Sequence, residues 1–236
     1  MAAAREEHAK PGGMRRHLVE AEILEHAARL FSENGYAATT LQDIAADLGM
    51  SRSSLYHYFP NKEEMLIRLV SGLVSSSEAA LRVMRSKTGD DAAERLRTAV
   101  ESLLEPIVEA PNRFRLLLTV EAQLPAQVAE QWRDIRRSIV AEVSGLIRDG
   151  TRRGQFRAVD EQAATFTVLG MCNWVAWWPD RQRRDHPALK KVIADLAVSG
   201  LCANEVDVVH ESPREALAAI RHELGRLESM IEPRTV

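Results

Sequence analysis

The sequence is poor in the residues that build most reactive centres. Its two cysteines, Cys172 and Cys202, are too few and too far apart among 236 residues for a zinc framework. Both are expected to be small buried hydrophobes in a reducing compartment. No stretch approaches the roughly 20 apolar residues that span a bilayer, and no early apolar run resembles a signal peptide. With a net charge of -3 and 45% hydrophobic residues, the expectation is a soluble cytoplasmic protein without a membrane partner. Enzyme signatures are missing as well. There is no G-x-S-x-G, no P-loop and no dinucleotide fingerprint, and the H-E-L-G-R at His222 and H-E-S-P-R at His210 lack the second zinc-binding histidine. No catalytic residue, metal or cofactor is therefore expected. Strand-like alternation is confined to Val206-Asp207-Val208-Val209, so the fold class expected is all-α.

What the chain does have is concentrated between Thr39 and Met65. Leu41, Ile44, Ala45 and Leu48 recur at helical spacing on one face. Thr40 precedes them as an N-cap, with Asp43 placed for a capping box, and Gly49 supplies the left-handed turn that ends the helix. Ser51 caps a second helix in which Leu55 and Phe59 turn back onto the first. At about 100° per residue, Ser53 and His57 point opposite Leu55, flanked by Ser54 and Tyr56, with Arg52 and Tyr58 at the sides. A generic helical hairpin fills its solvent face with Glu and Lys. This face has no acid, and its serines, arginine, histidine and tyrosines suit phosphates and base edges. Upstream, Ile23, Ala27, Leu30 and Phe31 form the stripe of a third helix that stops at Asn34-Gly35.

Three segments resemble the DNA-binding domain of the TetR family of transcriptional regulators, over Ile23 to Leu69: A-A-R-L-F-S-E-N-G-Y, T-T-L-Q-D-I-A-A-D-L-G-M-S and L-Y-H-Y-F-P-N-K-E-E-M-L. The resemblance implies a three-helix helix-turn-helix domain followed by a larger helical ligand-binding and dimerisation domain. It also implies a phosphate contact at Thr40, base and backbone contacts from the helix capped by Ser51 through Arg52, Ser53, Tyr56 and His57 with Tyr58 at its edge, and a phosphate contact at Lys62. A helix N-terminus capped by Asn61 and Glu64 favours anions, consistent with the last role; a solvated charge is the alternative for Lys62. Residues 1–60 carry six cations against eight acids, so any basic surface must be local. Arg15, Arg16 and His17, with Lys10 and Arg5 further out, read either as an N-terminal arm or as a charged solvated tail. The expected organisation is an arm over 1–14, the helix-turn-helix domain over 15–61 and the second domain over 62–236.

Beyond Pro60 the pattern remains helical. Helices are expected from Lys62 toward Met84, from Ala92 to Glu109, from Pro111 through Val120, from Pro125 until Gly150 and Gly154 break it, from near Asp160 to Trp178, and from Pro187 to Ala203. A last helix is signalled by Ser212-Pro213-Arg214-Glu215, with a narrow apolar seam running to Ile231. Three of the four tryptophans fall at Trp174, Trp177 and Trp178, in a chain only 5% aromatic. They suit a core or dimer seam, or a cavity for flat or acyl ligands. N-W-x-x-W followed by A-D-L-A-V-S-G-L resembles a branch of the family responsive to fatty-acyl or sterol-derived coenzyme A thioesters; Trp178 stands where that branch commonly has tyrosine. The resemblance also implies a homodimer formed by the helices of 160–178 and 187–203.

Arg113, Arg115, Arg133, Arg136 and Arg137 are either partners for a phosphate-bearing ligand or a solvated helix face. Phe114, Leu118, Trp132, Arg136, Asn173, Trp174 and Trp177 are the candidate effector-binding residues. The function expected is a repressor on double-stranded palindromic operator DNA, released by a small apolar or acyl-coenzyme A-like effector. The alternative is a regulator controlled by a protein partner or by no small molecule.

Overall fold

The computed structural model describes residues 11–179, 185–202, 217 and 221. Nine α-helices account for almost all of them: α1 (Pro11–Asn34), α2 (Leu41–Asp47), α3 (Arg52–Tyr58), α4 (Lys62–Ser86), α5 (Ala92–Glu109), α6 (Pro111–Val120), α7 (Ala126–Arg152), α8 (Glu161–Trp174) and α9 (His186–Leu201). Short 3-10 turns follow α6 at Glu121–Gln123 and α8 at Val175–Trp177. No helix among the described residues is long and apolar enough to cross a membrane. The link at Val206–Val209 and the helix expected over Ser212–Ile231 lie outside the described residues, except Leu217 and Arg221, which are helical. Arg5 and Lys10 lie outside them as well.

Local chemistry sets most boundaries. α2 starts at a reciprocal capping box: the Thr40 hydroxyl accepts from the Asp43 amide and the Asp43 carboxylate accepts from the Thr40 amide. The side chains of Ser51, Asn61, Asp91 and Asp160 cap α3, α4, α5 and α8 in the same sense. Gly35 (φ +87°) and Gly49 (φ +64°) take the left-handed conformation after α1 and α2.

The first helices close around Ile23, Phe31, Ile44, Leu55 and Phe59, all essentially inaccessible to solvent. α4 extends that core with Met65, Leu66 and Leu69 and continues into the second half of the molecule, where it packs on α5 and α7. α9 packs along α5, and α8 along α7. Ion pairs fix the last contact: Arg148 of α7 donates to both oxygens of Glu161, at 2.6 and 2.7 Å. Those bonds, then one from the Ser144 hydroxyl, hold the Glu161 carboxyl down at about 2.

Three boundaries differ from expectation. α1 begins at Pro11, a residue suited to a first helical turn, so Arg15, Arg16 and His17 are helical and do not form an extended arm. α8 stops as an α-helix at Trp174 and tightens into a 3-10 turn through Trp177. α7 runs through Gly150 to Arg152 and ends before Gly154 (φ +71°). Gly150 is there for space: a Cβ would overlap the Phe156 ring and come within 2.9 Å of the Ala92 Cβ. Phe156 is held in place by its bridge to Cys202 and by Arg157 N–H donating to Leu201 O at 2.9 Å. Gly150→Ala is expected to destabilise the fold by about 1–3 kcal/mol, the usual cost of overpacking, read from urea unfolding with an unchanged m-value.

Candidate nucleic-acid interface and effector cavity

α3 presents Ser51, Arg52, Ser53, Tyr56 and His57 to solvent while Leu55 and Phe59 are fully buried beneath it. The exposed side chains are held in a local network. Ser51 Oγ accepts from the Ser54 amide at 3.1 Å and lies 3.0 and 2.7 Å from the Ser53 and Ser54 hydroxyls. Arg52 donates to the Tyr56 hydroxyl at 3.2 Å, its guanidinium 5.3 Å from the Tyr56 ring centroid. Tyr58 is half-buried, edge-on to His57 at 5.6 Å, and the Arg16 guanidinium of α1 lies 5.8 Å from its ring. Arg16 therefore joins the edge of this face from within a helix.

Several acids of the module are paired with cations. Asp47 receives Arg29 at 2.6 Å and lies 2.5 Å from the His26 ring, and these two partners, His26 first, hold its carboxyl below the ordinary range. Glu33 pairs with Arg29, and Glu20 with Arg16 and Arg68. Asp43 turns back on Thr40, whose hydroxyl and then backbone amide lower its pKa. Thr40, expected at a phosphate, gives its hydroxyl hydrogen to that carboxylate at 2.7 Å. Lys62, the other expected phosphate residue, points its ammonium at the carbonyls of Tyr36, Ala37 and Thr39. Thr40, Ser51–Tyr58 and Lys62 thus share one end of the molecule, but Thr40 and Lys62 are engaged within the protein.

A second feature sits among α4, α5, α6, α7 and α8, a cavity of about 810 Å³. Its wall is apolar: Ala80 from α4, Leu103 and Ile107 from α5, Phe114 and Leu118 from α6, and Trp132 from α7. Arg133, Arg136 and Arg137 line it on α7, and Phe166, Leu169 and Asn173 on α8. Arg136 donates to Glu121 at 2.9 Å and lies 5.9 Å from the Trp132 ring. The Trp132 indole N–H, closed to solvent, has no acceptor among the described residues. Cys172 also borders the cavity, its thiol pushed up to about 12 by burial and so unreactive.

Of the seven expected effector residues, Phe114, Leu118, Trp132, Arg136 and Asn173 line this cavity, while Trp174 and Trp177 do not. These two stand on the outer surface, 64% and 43% exposed. The tightened turn after Trp174 brings Trp177 over it, since residues three apart in a 3-10 helix eclipse one another, and the two indoles stack, 5.8 Å apart at 22°. Arg113 and Arg115 are also elsewhere. Arg113 pairs with Glu25 of α1 at 3.3 Å, and Arg115 with Asn112. Ala80, Leu103 and Ile107 were not singled out from the sequence, because inward-facing residues that touch one another and those that border a void follow the same periodicity.

Replacing both Arg52 and Tyr56 by alanine removes the paired donors of the α3 face without touching the core. The expected outcome is at least about thirtyfold weaker binding to DNA selected by the wild-type protein, at about 1–3 kcal/mol per lost base contact, with unfolding curves unchanged; unaltered affinity would show that this face does not read DNA.

Two family models match the chain. Residues 23–69 match the family model for bacterial regulatory proteins of the tetR family, and residues 89–201 the model for the tetracyclin repressor-like C-terminal domain. The transcriptional regulator YfiR of Bacillus subtilis (strain 168) is 30% identical over 154 residues, 61% of this chain and 71% of YfiR. PfmR, a TetR family transcriptional regulator from Thermus thermophilus, is 32% identical, with a TM-score of 0.58 over 78% of this chain and 97% of that one. AibR, solved in complex with isovaleryl coenzyme A and operator DNA, is 26% identical with a TM-score of 0.60, covering 78% of this chain and 97% of AibR. On the matched N-terminal and C-terminal models and the 30% identical relative together, this chain belongs to the TetR family of DNA-binding transcriptional regulators and is not an enzyme.

Proposed function

We infer that the protein is a homodimeric repressor whose α3 helices enter successive major grooves of a palindromic operator, and which leaves DNA when an acyl-coenzyme A-like effector fills the cavity. The observation that carries the effector class is the pairing of an apolar wall with Arg133, Arg136 and Arg137 on a single face of α7. An acyl chain suits the wall, and guanidinium groups suit the phosphates of the coenzyme. At about 810 Å³ the cavity falls within the range of roughly 300–1,000 Å³ typical of small-ligand sites. The structural likeness to AibR, whose complex contains isovaleryl coenzyme A and operator DNA, supports the same class.

Dimerisation rests on a second surface. Phe166, Trp174 and Trp177 on α8 and its following turn, and Val192 and Leu196 on α9, are exposed apolar side chains at 43–64% accessibility. A patch of that kind marks an interaction site, and an isologous contact between these helices would pair the two reading heads by a two-fold axis. Half-sites one helical turn apart, roughly 34 Å, are the starting expectation.

The fold offers two connections from cavity to DNA. α4 contributes Ser77 and Ala80 to the cavity and packs on α1, and its first residue, Lys62, bonds the turn that leads into α2. α6 contributes Phe114 and Leu118 and packs along α1, where Arg113 meets Glu25. An effector that parts α6 from α7 therefore acts on two helices of the reading module.

A DNA-release titration with coenzyme A, isovaleryl-coenzyme A and octanoyl-coenzyme A tests this reading. At least one thioester is expected to release the DNA, coenzyme A alone is not, and Arg136→Ala with Arg137→Ala is expected to raise the required concentration about tenfold or more, as for loss of a hydrogen bond to a charged group. Absence of a response to every thioester would remove the effector reading and leave a regulator governed by a protein partner or by no small molecule.

A further inference from the structure

Three polar side chains are buried among the described residues: Thr39, Ser77 and Thr165. A buried hydroxyl costs stability unless it is bonded, and two of the three follow that rule. Thr39 gives its hydroxyl to Gly35 O at 2.9 Å and Thr165 to Glu161 O at 2.7 Å. Ser77, only 6% exposed, has no hydrogen-bond partner among the described residues. Its neighbour Ser76 shows the bond a helical serine can make, returning its hydroxyl to Gly72 O at 3.1 Å.

Ser77 borders the effector cavity, and with Ala80 one turn further along the same face it is what α4 presents there. Everything else that α4, α5 and α6 contribute to the wall is apolar, from Ala80 through Leu103 and Ile107 to Phe114. The polar groups of α7 are engaged or outside: Ser144 donates to Glu161, Arg136 to Glu121 and Arg137 to Asp134, while Arg133 is exposed. Asn173 of α8 is exposed as well, and the unpaired Trp132 N–H is sealed off. A bound molecule that covers Ser77 with hydrocarbon leaves its hydroxyl unpaired, and one that offers an oxygen satisfies it.

We propose that Ser77 is a specificity-determining contact of the cavity, and that the effector bears an oxygen on its acyl group that accepts from the Ser77 hydroxyl. That oxygen is the thioester carbonyl or a hydroxyl on the chain. The proposal rests on the thioester reading above and narrows it. The same bond gives the effector a hold on α4, since Ser77 lies about two turns, roughly 12 Å, beyond Leu69, which is buried with the reading module.

The test measures binding to the DNA-free protein by calorimetry, with wild type and Ser77→Ala. The probes are S-octyl-coenzyme A, which has no carbonyl, octanoyl-coenzyme A and 3-hydroxyoctanoyl-coenzyme A. One step of this series is expected to tighten binding to wild type about three- to tenfold, the net worth of one hydrogen bond. The step from S-octyl to octanoyl identifies the carbonyl as the partner, and the step from octanoyl to 3-hydroxyoctanoyl identifies the chain hydroxyl. The gain is expected to vanish in Ser77→Ala. That variant removes an unpaired hydroxyl and introduces the best helix former, so its urea midpoint is expected to equal or exceed that of wild type. A gain that survives in Ser77→Ala would overturn the proposal, as would the absence of a gain at either step in wild type. A thioester that binds with the gain but leaves operator DNA bound would overturn the release mechanism alone, and failure of wild type to bind any thioester would overturn both.

Discussion

The structure depends on the burial of Leu55 and Phe59. α3 is seven residues long, far below the roughly 12–15 residues at which an isolated helix becomes even marginally stable in water. Its own cap and ladder cannot hold it. Leu55 and Phe59 are completely buried, against a core that includes Phe31, Ile44 and Met65. At about 1.5–3 kcal/mol for each large apolar side chain, these two anchors oppose the cost of nucleating a helix. Because they occupy one side, the other side is free of any packing duty and can be selected for DNA. The exposed residues proposed to read DNA and the buried anchors Leu55 and Phe59 are interleaved between Ser51 and Phe59 and kept apart by helical geometry.

The same core joins the reading head to the rest of the molecule. Met65, Leu66 and Leu69 bury the start of α4 in the module, while Leu81 and Met84 bury its end in the second half. α4 is thus a member of both halves, and α6 touches α1 from the other side. Charge placement follows this plan. Glu20, Glu25, Glu33 and Asp47 neutralise arginines along α1, α4 and α6, while α3 itself carries no acid. Exposed ion pairs of this sort add little stability. Their effect here is on where the field points.

What was legible in the sequence was mostly local. Capping at Thr40, Ser51 and Asn61, the stops at Gly35 and Gly49, and the inward set Leu41, Ile44, Leu55 and Phe59 each depend on neighbours within a turn or two. The all-helical class and the cavity residues Phe114, Leu118, Trp132, Arg136 and Asn173 followed from periodicity together with family resemblance. What escaped was set by distant partners. The bonds of Lys62 to the carbonyls of Tyr36, Ala37 and Thr39 were not legible, because backbone acceptors have no signature in a sequence. Gly150 looked like a helix stop because the Phe156 ring that excludes a side chain there belongs to the following turn. Trp174 and Trp177 stand outside the cavity wall, and the change of pitch after Trp174, about 20° per residue, is a tertiary adjustment that periodicity does not record.

The coupling between cavity and reading helix is tested most directly by the affinity of octanoyl-coenzyme A, measured by calorimetry with and without saturating operator DNA. Linkage is reciprocal, so the operator-bound protein is expected to bind the thioester more weakly, by the same factor with which the thioester weakens operator binding. Equal affinity for the free and the operator-bound protein, with both ligands held at once, would contradict it.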